Sequence, residues 1–113
     1  MSAETMETLS LLQTEGKIRA FGISLRSPDD GFNAIKLGFK SIQVNFNLAD
    51  QRILDSGLMD FVADKDIGVI VRTPLCFGFL TGLYSENTQF DSTDHRSAWP
   101  KEQRNRWVEA SRL

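Results

Sequence analysis

The sequence predicts an α/β fold of about three consecutive parallel β/α units preceded by a helix. Three observations carry this expectation. Strand-like runs begin near Ile18, Ser41 and Ile67. Each is separated from the next by a segment of helical periodicity. The last run, Ile67-Gly68-Val69-Ile70-Val71, is nearly all apolar, as expected for a strand covered on both faces. Strand–helix–strand order at this spacing demands parallel pairing through right-handed crossovers. Two architectures satisfy it, an open doubly wound sheet and a piece of a barrel. Residues 1–113 read as one domain, without an interdomain linker or a low-complexity stretch.

The elements follow in order. Met6, Leu9 and Leu12, with neighbouring Leu11, fall at helical spacing within Glu4 to Gln13, and Gly16 offers a stop that tolerates positive φ. Ile18 to Ser24 reads as a short buried strand. Ser27-Pro28-Asp29-Asp30 is a helix start: Ser accepts from the orphan amides, Pro has no amide hydrogen to lose, and the Asp pair suits the positive end of the dipole. Phe32, Ala34, Ile35 and Leu37 supply that helix's buried stripe, and Gly38 ends it. In the second strand, Ser41 to Asn47, Ile42, Val44 and Phe46 share one face while Gln43, Asn45 and Asn47 share the other. Leu54, Leu58, Phe61 and Val62 at i, i+4, i+7 and i+8 predict one further helix. After Pro74 the pattern dissolves into a polar loop from Thr81 to Trp99, and Pro100 opens a last helix around Trp107 and Val108.

Composition narrows the function classes. A content of 41% hydrophobic and 25% charged residues is that of an ordinary globular domain. A formal net charge of −2 gives no electrostatic reason to expect nucleic acid or an anionic membrane as partner. The single cysteine, Cys76, excludes an internal disulfide framework and a multi-cysteine metal site. No apolar run approaches the roughly 20 residues that span a bilayer, and the first residues lack the pattern of a secretory signal. A reducing, cytoplasmic setting is the resulting expectation.

In either architecture a ligand sits at the carboxyl ends of the strands. The amide row Gln43, Asn45, Asn47 is costly inside a sheet unless each side chain finds a partner. It either hydrogen-bonds a neutral polar group such as a carboxamide, or its members bond one another and nearby backbone. Arg72 at the third strand end faces a phosphate or carboxylate ligand, or else pairs with a carboxylate on the rim. In the following loop, Gly78 and Gly82 permit close backbone approach, and free amides with the Thr73 hydroxyl could hold a phosphate. Cys76 has no adjacent base in sequence and reads as a buried, inert thiol. His95, beside Asp94, reads as a solvated or structural loop histidine. Glu102 to Arg106 reads as a solvated helix face.

Three stretches in register resemble the aldo-keto reductase family: Gly16 to Ser24, Ile42-Gln43-Val44-Asn45-Phe46-Asn47, and Thr73-Pro74-Leu75 with Gly78, Leu80, Thr81 and Gly82. Asp94-His95-Arg96-Ser97 is similar to a stretch of many members. The resemblance implies a (β/α)8 TIM barrel that binds NADP and reduces aldehydes and ketones to alcohols. It places this chain on strands five to seven, a partial barrel preceded by helix four. By the same resemblance Ser24 and Gln43 bind the nicotinamide carboxamide, Arg72 takes the place of a residue that stacks on the nicotinamide, and Thr73, Pro74, Leu75 and Gly78 line the pyrophosphate. Leu25 stands where many members have Asn, Arg72 where an aromatic is common, and Leu83 where Lys is frequent.

Nothing in the sequence matches the family motifs that carry the catalytic Asp, Tyr, Lys and His, and no catalytic or metal-ligating residue is assigned. A whole barrel needs about 250 residues. The expectation is therefore a truncated or split reductase, inactive by itself. The alternative is a non-catalytic nucleotide-binding or interaction subunit that self-associates, or pairs with a complementing barrel fragment, through open sheet edges.

Overall fold

The computed structural model describes residues 2–112. They fall into two compact units. The first comprises residues up to Val44 together with Arg52–Arg72; the second comprises Asn45–Gln51 together with residues from Thr73 onward.

In the first unit a helix, α1 (Ala3–Thr14), is capped by the Ser2 hydroxyl, which accepts from the Thr5 amide at 3.2 Å. Gly16, at φ 71°, ends it as expected. The chain then runs through β1 (Gly22–Ser24), α2 (Pro28–Lys36), β2 (Ser41–Asn45), the short helices α3 (Arg52–Asp55) and α4 (Leu58–Ala63), and β3 (Gly68–Arg72). The strands form one sheet in the order β1-β2-β3. β1 and β2 are parallel, with Gly22 opposite Ser41, Ile23 opposite Ile42 and Ser24 opposite Gln43. The strand–helix–strand order is thus a run of parallel β/α units, a part of a barrel wall.

The core of this unit is Leu25, Ala34, Phe39, Ile42, Val44, Ile53, Leu58 and Val62, all buried. The alternation of β2 is realised: Ile42 and Val44 are buried, whereas Ser41, Gln43 and Asn45 on the opposite face are half-buried. Asp30 closes the start of α2 by accepting from the Ser27 amide at 3.2 Å and the Ser27 hydroxyl at 3.3 Å, as its half of the reciprocal Ser27–Asp30 capping box. Gly31 sits against α4, where a Cβ would meet Leu58 Cδ2 at 2.6 Å. Phe32 reaches Phe61 on α4 with ring centroids 5.0 Å apart.

Four expectations are corrected. The first strand is three residues long rather than spanning Ile18 to Ser24, because the Lys17 and Ile18 amides both fold back onto the Leu12 carbonyl, at 2.9 and 3.3 Å. The second ends at Asn45, because Asn47 and Asp50 exchange two backbone hydrogen bonds in a tight turn whose Ala49 amide is held by Asn47 Oδ1 at 2.9 Å. The single helix expected around Leu54 to Val62 is broken at Gly57, which adopts φ 72°; the break turns Ile53 into the core and leaves Leu54 45% exposed. β3 is not covered on both faces: Ile70 is 54% and Val71 41% exposed. At the sheet's end β3 lacks, among the described residues of this unit, the second neighbour and covering layer that its composition suits.

The second unit is built on aromatic rings. The segment Cys76–Thr81, kinked at Phe77 and Gly78, and the single turn His95–Ala98 precede α5 (Lys101–Ala110), which follows Pro100 as expected and packs on the former. Cys76, Phe79 and Val108 are buried. Around Phe79 lie Tyr84, Phe90 and Trp99, at centroid distances of 5.4, 6.1 and 6.4 Å. The Glu102 to Arg106 run is not uniformly solvated: Gln103, Arg104 and Asn105 are half-buried, because the face of α5 that buries Val108 also carries Arg104 one turn earlier.

Candidate functional site

The register of β1 and β2 puts Ser24 beside Gln43 on the face opposite the buried Ile42 and Val44. On that face a cleft of about 310 Å³ is lined by Ser24, Ser41, Gln43 and Ile70, among others. From the end of β3, Arg72 Nη1 donates to Ser24 Oγ at 3.0 Å and Nη2 donates to the Leu25 carbonyl at 3.3 Å. The Leu25 amide in turn donates to the Gln43 carbonyl at 2.8 Å, which ties the chain just past β1 onto β2. Ser24 Oγ accepts from Arg72 and keeps its own O–H to donate. The half-buried Gln43 carboxamide makes no hydrogen bond to another described side chain or backbone group, so its donor and acceptor face the cleft.

The amide row therefore divides. Asn45 Oδ1 accepts from Thr73 Oγ1 at 3.2 Å, and Asn47 Nδ2 donates to the Thr73 carbonyl at 3.0 Å. Both asparagines belong with the loop after β3 in the second unit. Of the three, Gln43 is the one whose side chain lines the cleft.

That loop is strained in a specific way. Thr73, Cys76 and Phe77 all adopt positive φ, at 55°, 50° and 58°, and Gly78 follows at 90°. Non-glycine residues rarely adopt this region, and such outliers gather at ligand-binding segments. The Cys76 amide is committed to the Thr73 carbonyl and the Gly78 amide to the Leu75 carbonyl, each at 2.9 Å, which leaves the loop fewer free amides than its sequence implies. Pro74 and Leu75 are exposed.

Cys76 is buried, and that burial, followed by the Asp50 carboxylate, pushes its thiol above the ordinary value. It has the character of an inert core thiol. His95 Nδ1 lies 3.7 Å from Asp94 Oδ1 with a 70% exposed side chain. The partner of Asp94 is Arg96, a pairing that sequence reading did not find. Arg96 Nε donates to Oδ1 at 3.0 Å and Nη2 to Oδ2 at 2.6 Å. These bonds, and the Arg96 amide, pull the Asp94 carboxyl down to about 2, and Asp94 holds the Arg96 guanidinium well above its usual value. The available signal was an Asp-X-Arg spacing set among Tyr84, Phe90 and Trp99.

Comparison with known proteins settles the kinship. The model of the Aldo/keto reductase family matches residues 2–112. This chain belongs to the aldo/keto reductase family. Among relatives, it is 34% identical over 108 residues to the aldo-keto reductase YhdN of Bacillus subtilis (strain 168), covering 94% of this chain and 32% of that protein. It is 34% identical over 86 residues to the NADH-specific methylglyoxal reductase of Escherichia coli (strain K12), covering 75% of this chain and 26% of that one. In structure it matches a glycerol dehydrogenase of Gluconobacter oxydans with a TM-score of 0.69 at 29% identity, covering 96% of this chain and 33% of that chain. This aldo/keto reductase chain thus spans between about a quarter and a third of the length of the relatives it matches. Among the described residues no helix is long and apolar enough to cross a membrane, and no group of three His, Cys, Asp or Glu could hold a metal ion.

Proposed function

We propose that this chain supplies part of the nicotinamide-nucleotide site of a carbonyl reductase, with Ser24 and Gln43 binding the nicotinamide carboxamide. The observation that carries this reading is the Gln43 side chain: a half-buried amide, lining a cleft, with no partner among the described residues. A carboxamide is its natural complement, since each group offers both a donor and an acceptor. Ser24 adds a hydroxyl whose acceptor side is already occupied by a guanidinium, which polarises the O–H toward a ligand acceptor. Arg72, in the place of a stacking aromatic, fixes that hydroxyl and presents a planar cation at the edge of the site. Thr73, Pro74, Leu75 and Gly78 form the phosphate-binding loop of the same reading.

When bound, a reduced nicotinamide supplies the hydride that converts an aldehyde or ketone to the alcohol. The residues of this chain bind and orient; none is assigned to proton transfer. Residues 1–113 by themselves therefore turn over no carbonyl substrate, and NADPH-dependent reduction of a reactive aldehyde by the purified chain overturns that part of the reading. NADP is the proposed cofactor, and the NADH specificity named for the Escherichia coli relative makes the choice of nucleotide the first measurement. Titration with NADPH and NADH, followed through Trp99 and Trp107, yields a saturable signal for at least one; a flat response to both defeats the pocket. The buried, unpaired Cys76 suits a reducing setting such as the cytoplasm.

A second reading, an interaction subunit, is favoured by β3, whose Ile70 and Val71 are exposed at the end of the sheet. Such an edge pairs with another strand, from a second copy or a complementing barrel fragment. Sedimentation at micromolar concentration separates the cases: a stable monomer excludes self-association, and a concentration-dependent dimer supports it.

A further inference from the structure

We propose that Arg96 is a positioning residue for the loop Thr73–Gly78, holding the left-handed Phe77–Gly78 turn in place through the Phe77 carbonyl. The inference rests on the reading of that loop as the phosphate-binding segment, and adds to it a residue far along the chain.

Arg96 Nη1 donates to the Phe77 carbonyl oxygen at 2.7 Å, across 19 residues of sequence. Its other nitrogens are occupied by Asp94, through Nε at 3.0 and 3.2 Å and Nη2 at 2.6 Å. Its flat face lies 4.9 Å from the Tyr84 ring centroid and 4.4 Å from that of Phe90. The guanidinium is thus fixed in direction as well as position, as a bidentate, stacked arginine is and a lysine cannot be. The Arg96 side chain is 17% exposed.

The target of this clamp is the most strained backbone of the unit. Cys76, Phe77 and Gly78 are consecutively left-handed, a conformation that persists only where surrounding contacts over-determine it. A Cβ on Gly78 would lie 3.0 Å from Tyr84 Cε2 and 3.3 Å from Arg96 Nη1, so the glycine both adopts the turn and admits the guanidinium. The direction in which the loop's remaining amides point follows from how these peptide planes are held, and a phosphate is bound by amide direction. With Nε and Nη2 committed to Asp94 and Nη1 to the Phe77 carbonyl, the role of Arg96 is to set the loop rather than to contact a ligand.

The test measures binding of NADPH or NADH, whichever the wild-type chain prefers, alongside reduced nicotinamide riboside, which lacks the phosphates and relies on Ser24 and Gln43. Arg96→Ala weakens the dinucleotide at least tenfold and leaves the riboside, followed by saturation-transfer NMR, unchanged. Arg96→Lys restores part of the loss. Asp94→Asn, which keeps the arginine and its two aromatic neighbours, gives an intermediate loss. Equal dinucleotide affinity in wild type and Arg96→Ala overturns the positioning role while leaving the cofactor reading intact. Loss of both ligands in Arg96→Ala and Asp94→Asn shows a general structural role and also overturns it. A wild-type chain that binds neither ligand overturns both proposals.

Discussion

Arg72 at the end of β3 reaches Ser24 at the end of β1, with Nη1 3.0 Å from Oγ, spanning the sheet over the intervening strand β2. The bond ties the two outer strands at the same end of the sheet where Gln43 lines the cleft. An exposed hydrogen bond of this kind contributes little to stability, less than about 1 kcal/mol. Ser24→Ala is therefore expected to shift a urea midpoint only slightly. Gln43→Leu removes a side chain with no intramolecular partner among the described residues, so stability stays within about 0.5 kcal/mol of wild type. Dinucleotide affinity falls about tenfold, or ~1.4 kcal/mol. A strongly destabilised Gln43→Leu would show that the amide serves the fold instead.

The Asp94–Arg96 pair makes the second unit sensitive to acid. The folded-state carboxyl titrates near 2, below the roughly 3.9 of a free aspartate. Its contribution to stability is fully present above about pH 4 and is lost as pH falls toward 2. Asp94→Asn should flatten that segment of a stability–pH profile measured by chemical denaturation. An unchanged slope between pH 4 and 2 would remove Asp94 as its source.

Gly22 has no room for a side chain. A Cβ there would lie 2.9 Å from the Ser41 carbonyl oxygen and would overlap Ser41 Oγ. Since the carbonyl belongs to the neighbouring strand, relief requires moving β1 off β2. Gly22→Ala is expected to cost about 1–3 kcal/mol, read as a lowered urea midpoint.

Phe79 is 1% exposed amid Tyr84, Phe90 and Trp99. Phe79→Ala should cost about 3–5 kcal/mol and change the Trp99 emission, since that ring stacks on Phe79 at an interplanar angle of 12°. A loss below 1 kcal/mol would mean the cluster closes over the cavity.

Two left-handed positions give opposite signs. Gly57, at φ 72° with open space around its Cβ direction, loses about 1 kcal/mol on conversion to Ala through backbone strain alone. Asp66, exposed at φ 53°, gains up to about 1 kcal/mol on conversion to Gly. Thermal melts of the two variants, displaced in opposite directions from wild type, check both.

Much of this architecture was legible in the sequence where a local signal and the final packing agree. The alternation of β2, the Ser27-Pro28-Asp29-Asp30 start of α2 and the Gly16 stop are all realised. Periodicity failed at Gly57, because the apolar spacing of Leu54 and Leu58 runs unbroken across a residue whose φ it cannot report. It failed again at β3, whose composition describes a covered strand while Ile70 and Val71 stand exposed. At the site, Gln43 was found by its face, but its separation from Asn45 and Asn47 depends on Thr73, contacts 28 and 26 residues distant. Arg96 was missed for the same reason: its target, the Phe77 carbonyl, is backbone and leaves no mark on residue identity.

The consecutive left-handed residues Cys76, Phe77 and Gly78 have one more consequence. A residue leaves that region only by carrying its peptide planes over a barrier into another well, since the ground between is sterically closed. For Cys76 and Phe77 that barrier acts alongside the Arg96 contact, so the directions of the carbonyls and amides in this loop are kept by the backbone itself as well as by its neighbours.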